Sequence, residues 1–127
     1  MNAAAHVLTL LIRMFGASAL VLGLAFWLGY ARSLILLHMA FGMGLVLSLL
    51  AASWIAWMKT GRGGLATFAA GWGILIWAFG IMQSQILPGP LHWIVELAHL
   101  IAGGIAIGVG GRLATAVSQR RVPVSAP

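Results

Sequence analysis

Four apolar stretches, at about 8–30, 33–58, 65–87 and 91–111, divide most of the chain between them. Each comes near the ~20 residues that a helix needs to cross ~30 Å of hydrocarbon. Their apolar character runs all round the helix rather than along one stripe, as lipid-facing helices require. Transmembrane strands would alternate in polarity over ~10-residue segments, and no such alternation is present. Composition removes the soluble alternatives. Of 127 residues, 62% are apolar and 6% charged, against roughly 45–50% and ~25% in a soluble domain. So few charges cannot maintain a solvated surface. Seven Lys and Arg stand against one acidic residue, a net charge of +6. They are scattered through apolar sequence and form no basic face for nucleic acid. With no cysteine, disulfides, thiolate zinc sites, iron–sulfur clusters and cysteine nucleophiles are excluded.

The breaks between the stretches are short. Arg32-Ser33 makes the first turn, and Lys59-Thr60-Gly61-Arg62-Gly63-Gly64 makes a polar, Gly-rich loop. Pro88-Gly89-Pro90 makes a tight turn that also opens the fourth helix, since proline fits a first helical turn. Short connections make sequence neighbours antiparallel neighbours. The expected fold is therefore an all-α, up-down four-helix membrane bundle over residues 1–115, followed by a polar tail over 116–127. Arg13, Lys59, Arg62, Arg112, Arg120 and Arg121 fall on one side of it and Arg32 on the other. By the positive-inside rule both termini are cytoplasmic, in a bacterial-type inner membrane. Arg13 interrupts the first stretch and no basic residue precedes it, which argues against a cleaved leader. Its long side chain is expected to reach back to the headgroups.

The halves of the chain echo each other. Leu37-His38-Met39-Ala40-Phe41-Gly42 resembles Ala98-His99-Leu100-Ile101-Ala102-Gly103, and Phe26-Trp27-Leu28-Gly29 parallels Ile76-Trp77-Ala78-Phe79-Gly80. Two repeated helix hairpins would give this pattern, and so would chance in a Gly-rich chain.

Ionisable residues inside a membrane are costly, so each is a functional candidate. His38 is expected about 7–8 Å below the mouth of span two, and His99 roughly 12 Å below that of span four, at ~1.5 Å per residue. His92 lies at the mouth itself. His92, Glu96, His99 and Gly103 follow helical spacing and share one face of span four. His38 and His99 each have Gly one turn further on, at Gly42 and Gly103. A glycine there removes the side chain that would strike a flat macrocycle whose metal the imidazole binds. Two neutral imidazoles on facing helices are the usual axial pair of a low-spin haem b. His38 and His99 are the expected ligands and His92 the rival. Arg32, Gln83, Gln85 or His92 could receive the propionates. Glu96 is protonated, paired with His92 or His99, or hydrated. As a proton relay beside the haem it would suit quinol oxidation.

Other readings stand beside this one. A membrane histidine also serves as helix glue, bonded to a carbonyl. A chlorophyll-type pigment takes a single His, and a zinc or copper site from His38, His92, His99 and Glu96 is conceivable. Glu96-Leu97-Ala98-His99 matches the Glu-x-x-His element of di-iron bundles, but that centre needs more carboxylates than the one this chain has. The sequence contains no aspartate, so a Ser-His-Asp set is excluded. Gly61-Arg62-Gly63-Gly64 lacks the context and lysine of a phosphate loop.

Through its spans, His38-x-x-x-Gly42 and His99-x-x-x-Gly103, the chain resembles the small four-helix b-type membrane cytochromes. These include haem-bearing anchor subunits of respiratory dehydrogenases. It also resembles uncharacterised bacterial four-span proteins with Leu37-His38-Met39 and His92-Trp93…His99-Leu100…Gly103. The first resemblance implies one haem b, electron transfer and a quinone partner. It departs from diheme cytochromes, because the cytoplasmic half has no paired histidines. The alternatives are a non-catalytic accessory subunit of a respiratory or photosynthetic complex, or a small proton-conducting transporter. A larger complex or a homodimer is the expected kind of protein partner, and no cofactor at all is the alternative to haem or pigment.

Overall fold

The computed structural model describes residues 3–60 and 63–118. Gly61, Arg62, Arg120, Arg121 and the tail over 119–127 lie outside the described residues. The described residues form four long helices: α1 (Ala3–Trp27), α2 (Ile35–Thr60), α3 (Gly63–Met82) and α4 (His92–Ser118). All four are long and apolar enough to cross a membrane. The protein is thus a multi-pass, all-α bundle. A helix satisfies its own backbone polar groups, which is why a lipid-exposed chain of this composition takes this form.

Each helix packs against its sequence neighbour, and α1 also packs against α4. The α2–α4 diagonal is in contact as well. These two helices carry His38 and His99. The buried core gathers Ile12 of α1, Leu45, Leu49, Ala52 and Ala56 of α2, Ala66 and Ala69 of α3, and Ala106 and Leu113 of α4. Small residues let helix backbones approach where no hydrophobic force joins them. Gly110 is the tightest such point on α4. A Cβ there would stand 2.8 Å from Ile12 Cγ2 and 2.9 Å from Leu49 Cδ2. Large apolar side chains such as Val21, Leu36, Trp54 and Leu75 point outward, toward lipid rather than water.

The helix ends depart from the sequence expectation by a few residues. The first helix starts at Ala3 and stops at Trp27, before Tyr30. The stop is a Schellman cap. Tyr30 N–H donates to Ala25 O at 2.8 Å and Gly29 N–H to Phe26 O at 2.9 Å, with Gly29 at φ +86°. A 3₁₀ turn (Arg32–Leu34) then leads into α2. The third helix gives way to a 3₁₀ turn (Gln83–Gln85). The fourth runs on to Ser118, past Gly111, because Leu113, Ala114, Ala116 and Val117 remain buried. The 1–2 and 3–4 connections share one end of the bundle. Arg32 is at that end. Arg13, Lys59 and Arg112 lie toward the other.

Candidate functional site: a histidine pair at one end of the bundle

His38 sits one turn into α2 and His99 two turns into α4. The imidazole centroids are 6.4 Å apart, with the rings inclined at 61°. The two depths expected from sequence thus converge on one level, toward the connection end.

Each ring is held by the helix that precedes its own. His38 Nδ1 lies 2.9 Å from the carbonyl oxygen of Ala19 on α1. A carbonyl can only accept, so in the neutral ring Nδ1 carries the proton and Nε2 keeps its lone pair. Phe26 of α1 meets the His38 ring edge-on at 5.3 Å. A Cβ at Gly23 would lie 3.3 Å from His38 Cε1. On the other hairpin, Phe79 of α3 meets the His99 ring edge-on at 5.5 Å. A Cβ at Gly80 would lie 2.9 Å from His99 Cε1. His99 Nδ1 is buried without a hydrogen-bond partner among the described residues. The hairpins therefore repeat one arrangement: a histidine on the second helix, lodged against a glycine and edged by a phenylalanine on the first.

The sequence marked different glycines. Gly103 meets only Ile76 Cδ1, at 3.7 Å, and nothing lies within 4 Å of a Cβ at Gly42. The face beside Gly42 is open, as a cradle would be, but neither glycine touches an imidazole. Gly23 and Gly80 do. Gly80 was within sight as the end of the Ile76–Gly80 echo. Gly23 carried no signal beyond its spacing.

The remaining candidates are dispersed around the pair. His92 Nδ1 is 3.1 Å from Ile86 O, which ties the start of α4 to the 3–4 connection. Glu96 is half-buried and makes no hydrogen bond or ion pair among the described residues. Arg32 is exposed in the first 3₁₀ turn, with Gln83 half-buried and Gln85 exposed in the second. All three border the connection end. No group of three or more His, Asp or Glu side chains converges among the described residues. His38 and His99 are brought together as a pair, and His92 and Glu96 do not complete a four-ligand set with them. His6 is exposed at the far end of α1.

Beside the pair runs an open groove of about 410 Å³, lined by Trp72, Leu75, Ile76, Phe79, Met82 and Ile86 among others and wholly apolar. Phe79 is common to the groove and the His99 contact. Trp72 closes its inner end by donating Nε1–H to Ala102 O on α4, at 3.1 Å.

The residues present fit a metal held by two imidazoles. Metal–imidazole bonds are about 2 Å long, so two rings on opposite sides of one metal would lie about 6 Å apart centre to centre. The observed separation is 6.4 Å. A carbonyl on the far nitrogen of one ring is the usual outer support of such a ligand.

No protein-family model matches the chain, and no curated protein or solved structure matches it either. Its own structure defines its class: a four-helix, multi-pass membrane bundle with two neighbouring imidazoles near one end.

Proposed function

We propose that the protein is a one-haem b-type membrane cytochrome, in which His38 and His99 would hold the haem iron. The observation that carries this reading is the close pair itself, 6.4 Å apart, with the His38 tautomer set so that Nε2 keeps its lone pair. When bound, haem b supplies a one-electron carrier. The chain's own residues do the rest. Ala19 O holds His38 Nδ1–H, which fixes the ring and raises its basicity as a ligand. Phe26 and Phe79 cover the ring edges and keep water out. Arg32, with Gln83 and Gln85 at the same connection end, would receive the propionates. The apolar groove beside Phe79 offers no hydrogen bond, so it takes the isoprenoid tail of a quinol rather than its headgroup. Glu96, which has no hydrogen bond or ion pair among the described residues, would take one proton for each electron that the quinol passes to the haem. The basic end of the bundle faces the cytoplasm, which puts the histidine pair in the outer half of the bilayer.

A reduced-minus-oxidised spectrum of the purified protein tests the reading. A sharp α-band is expected, lost in His38→Ala and in His99→Ala. No Soret absorption from haem-replete cells would overturn it. The bond from His38 to Ala19 would then be a helix-joining bond. Copurification with a larger complex would favour an accessory subunit, and proton flux in cofactor-free liposomes a transporter.

A further inference from the structure

A second groove, of about 690 Å³, opens at the other end of the bundle. Its lining includes Arg13 of α1, Leu65 of α3, and Gly108, Gly111 and Arg112 of α4. Arg13 is ten residues from the start of α1, about 15 Å along the axis, and Arg112 is six residues before the end of α4, about 9 Å. Both residues therefore lie within the helical segments long and apolar enough to span a membrane. Neither has a counter-ion among the described residues. The only acidic side chain is Glu96, sixteen residues from Arg112 and about 24 Å away along α4. An arginine in a span is tolerated when something anionic meets it. Beside the arginines, α4 presents bare backbone. No atom lies within 4 Å of a Cβ at Gly108 or Gly111, whereas Gly110 is packed against Ile12 and Leu49.

We propose that this groove binds one anionic phospholipid of the leaflet at the basic end, its phosphate between Arg13 and Arg112 and an acyl chain along Gly108 and Gly111. Paired guanidiniums match phosphate oxygens in charge and geometry. The glycines supply a trench that a saturated chain fills. A second copy of this chain is the other natural occupant of an open glycine face. A two-fold contact would bring four guanidiniums together in a low-dielectric layer, so charge favours the lipid. Thr115 adds no donor, because its hydroxyl donates to Gly111 O at 3.0 Å.

The test uses the full chain in nonionic detergent with equal phosphatidylglycerol and phosphatidylcholine, read by native mass spectrometry. One phosphatidylglycerol should be retained per chain in preference to phosphatidylcholine. The preference should fall about fivefold in Arg13→Gln or Arg112→Gln and about 30-fold in the double variant. It should survive in the double Lys variant. Gly108→Leu, with both arginines intact, should lower retention by filling the trench, and it reads the same site if the Gln variants unfold. Circular dichroism checks helix content throughout. Equal retention of the two lipids, or undiminished retention in both the double Gln and the Gly108→Leu variants, would overturn the proposal. So would displacement by millimolar inorganic phosphate, or a dimer that Gly108→Leu dissolves.

Discussion

A methyl group at position 80 would stand 2.9 Å from His99 Cε1, closer than carbon atoms tolerate. The ring must shift to make room, and Phe79 and His38 border it at 5.5 and 6.4 Å between ring centres. Gly80→Ala is therefore expected to displace His99 and cut haem retention, measured as α-band absorbance per mole of protein. Gly23→Ala should do less, since its methyl would lie 3.3 Å from His38 Cε1. Gly42→Ala separates packing from cofactor. The site beside it is open, and Ala is favoured over Gly by about 1 kcal/mol in a helix. The haem-free protein should thus keep or gain stability, while a macrocycle lying against Gly42 would be expelled. Unchanged haem content in Gly42→Ala would place the macrocycle elsewhere. Glu96 calls for a different measurement. If it takes the quinol proton, Glu96→Gln should abolish quinol-driven reduction and leave the dithionite-reduced spectrum intact. Persistent quinol reduction would remove it from the proton path.

Along the helices, packing is decided by glycines and alanines that the sequence displays but does not assign. Gly110 illustrates this. Any Cβ at that position meets Ile12 and Leu49 within 3 Å, and both of those side chains are fully buried. Gly110→Val should cost about 1–3 kcal/mol, the usual penalty of overpacking. Unfolding in mixed micelles would measure it, and a loss near zero would mean α1 and α4 can separate there. The existence of all four helices was legible because length and hydrophobicity alone decide a membrane span. Their ends were less so. The sequence pattern ends the fourth at Gly111, where Arg112 and Thr115 raise the polarity, yet Leu113 and Ala114 are fully buried. Burial depends on what α1 offers opposite, which a single-helix pattern does not contain. The site divides in the same way. His38 and His99 were legible as rare ionisable groups in apolar spans. Gly23 and Gly80 were not, because they touch the rings across a helix crossing. The echo that aligned Phe26-Trp27 with Ile76-Trp77 has a different register from the spatial one. Phe26 follows Gly23 by three residues, whereas Phe79 directly precedes Gly80.

The arrangement of all four helices turns a small set of charges into an orientation. Arg13, Lys59 and Arg112 lie toward the end where α1 and α3 begin and α2 and α4 finish, with Arg32 at the opposite end. Basic residues are retained on the cytoplasmic side during insertion. The bundle should therefore stand with the 1–2 and 3–4 connections outside, and with the histidine pair nearer the outer surface. The chain has no cysteine, so single-cysteine labelling has no background to subtract. Ser33 and Lys59 are both exposed, at opposite ends of the second span. In sealed right-side-out vesicles, Ser33→Cys should react with a membrane-impermeant maleimide and Lys59→Cys only after permeabilisation. Inverted vesicles should exchange the two results. The opposite pattern would turn the bundle over and place His38 and His99 in the cytoplasmic half. A haem held by that pair would then exchange electrons with partners on that side. Lys59→Cys itself removes one basic residue, so Lys59→Arg combined with Ser53→Cys is no substitute, because Ser53 is buried. Trp57→Cys, exposed two residues before Lys59, repeats the measurement with all basic residues in place.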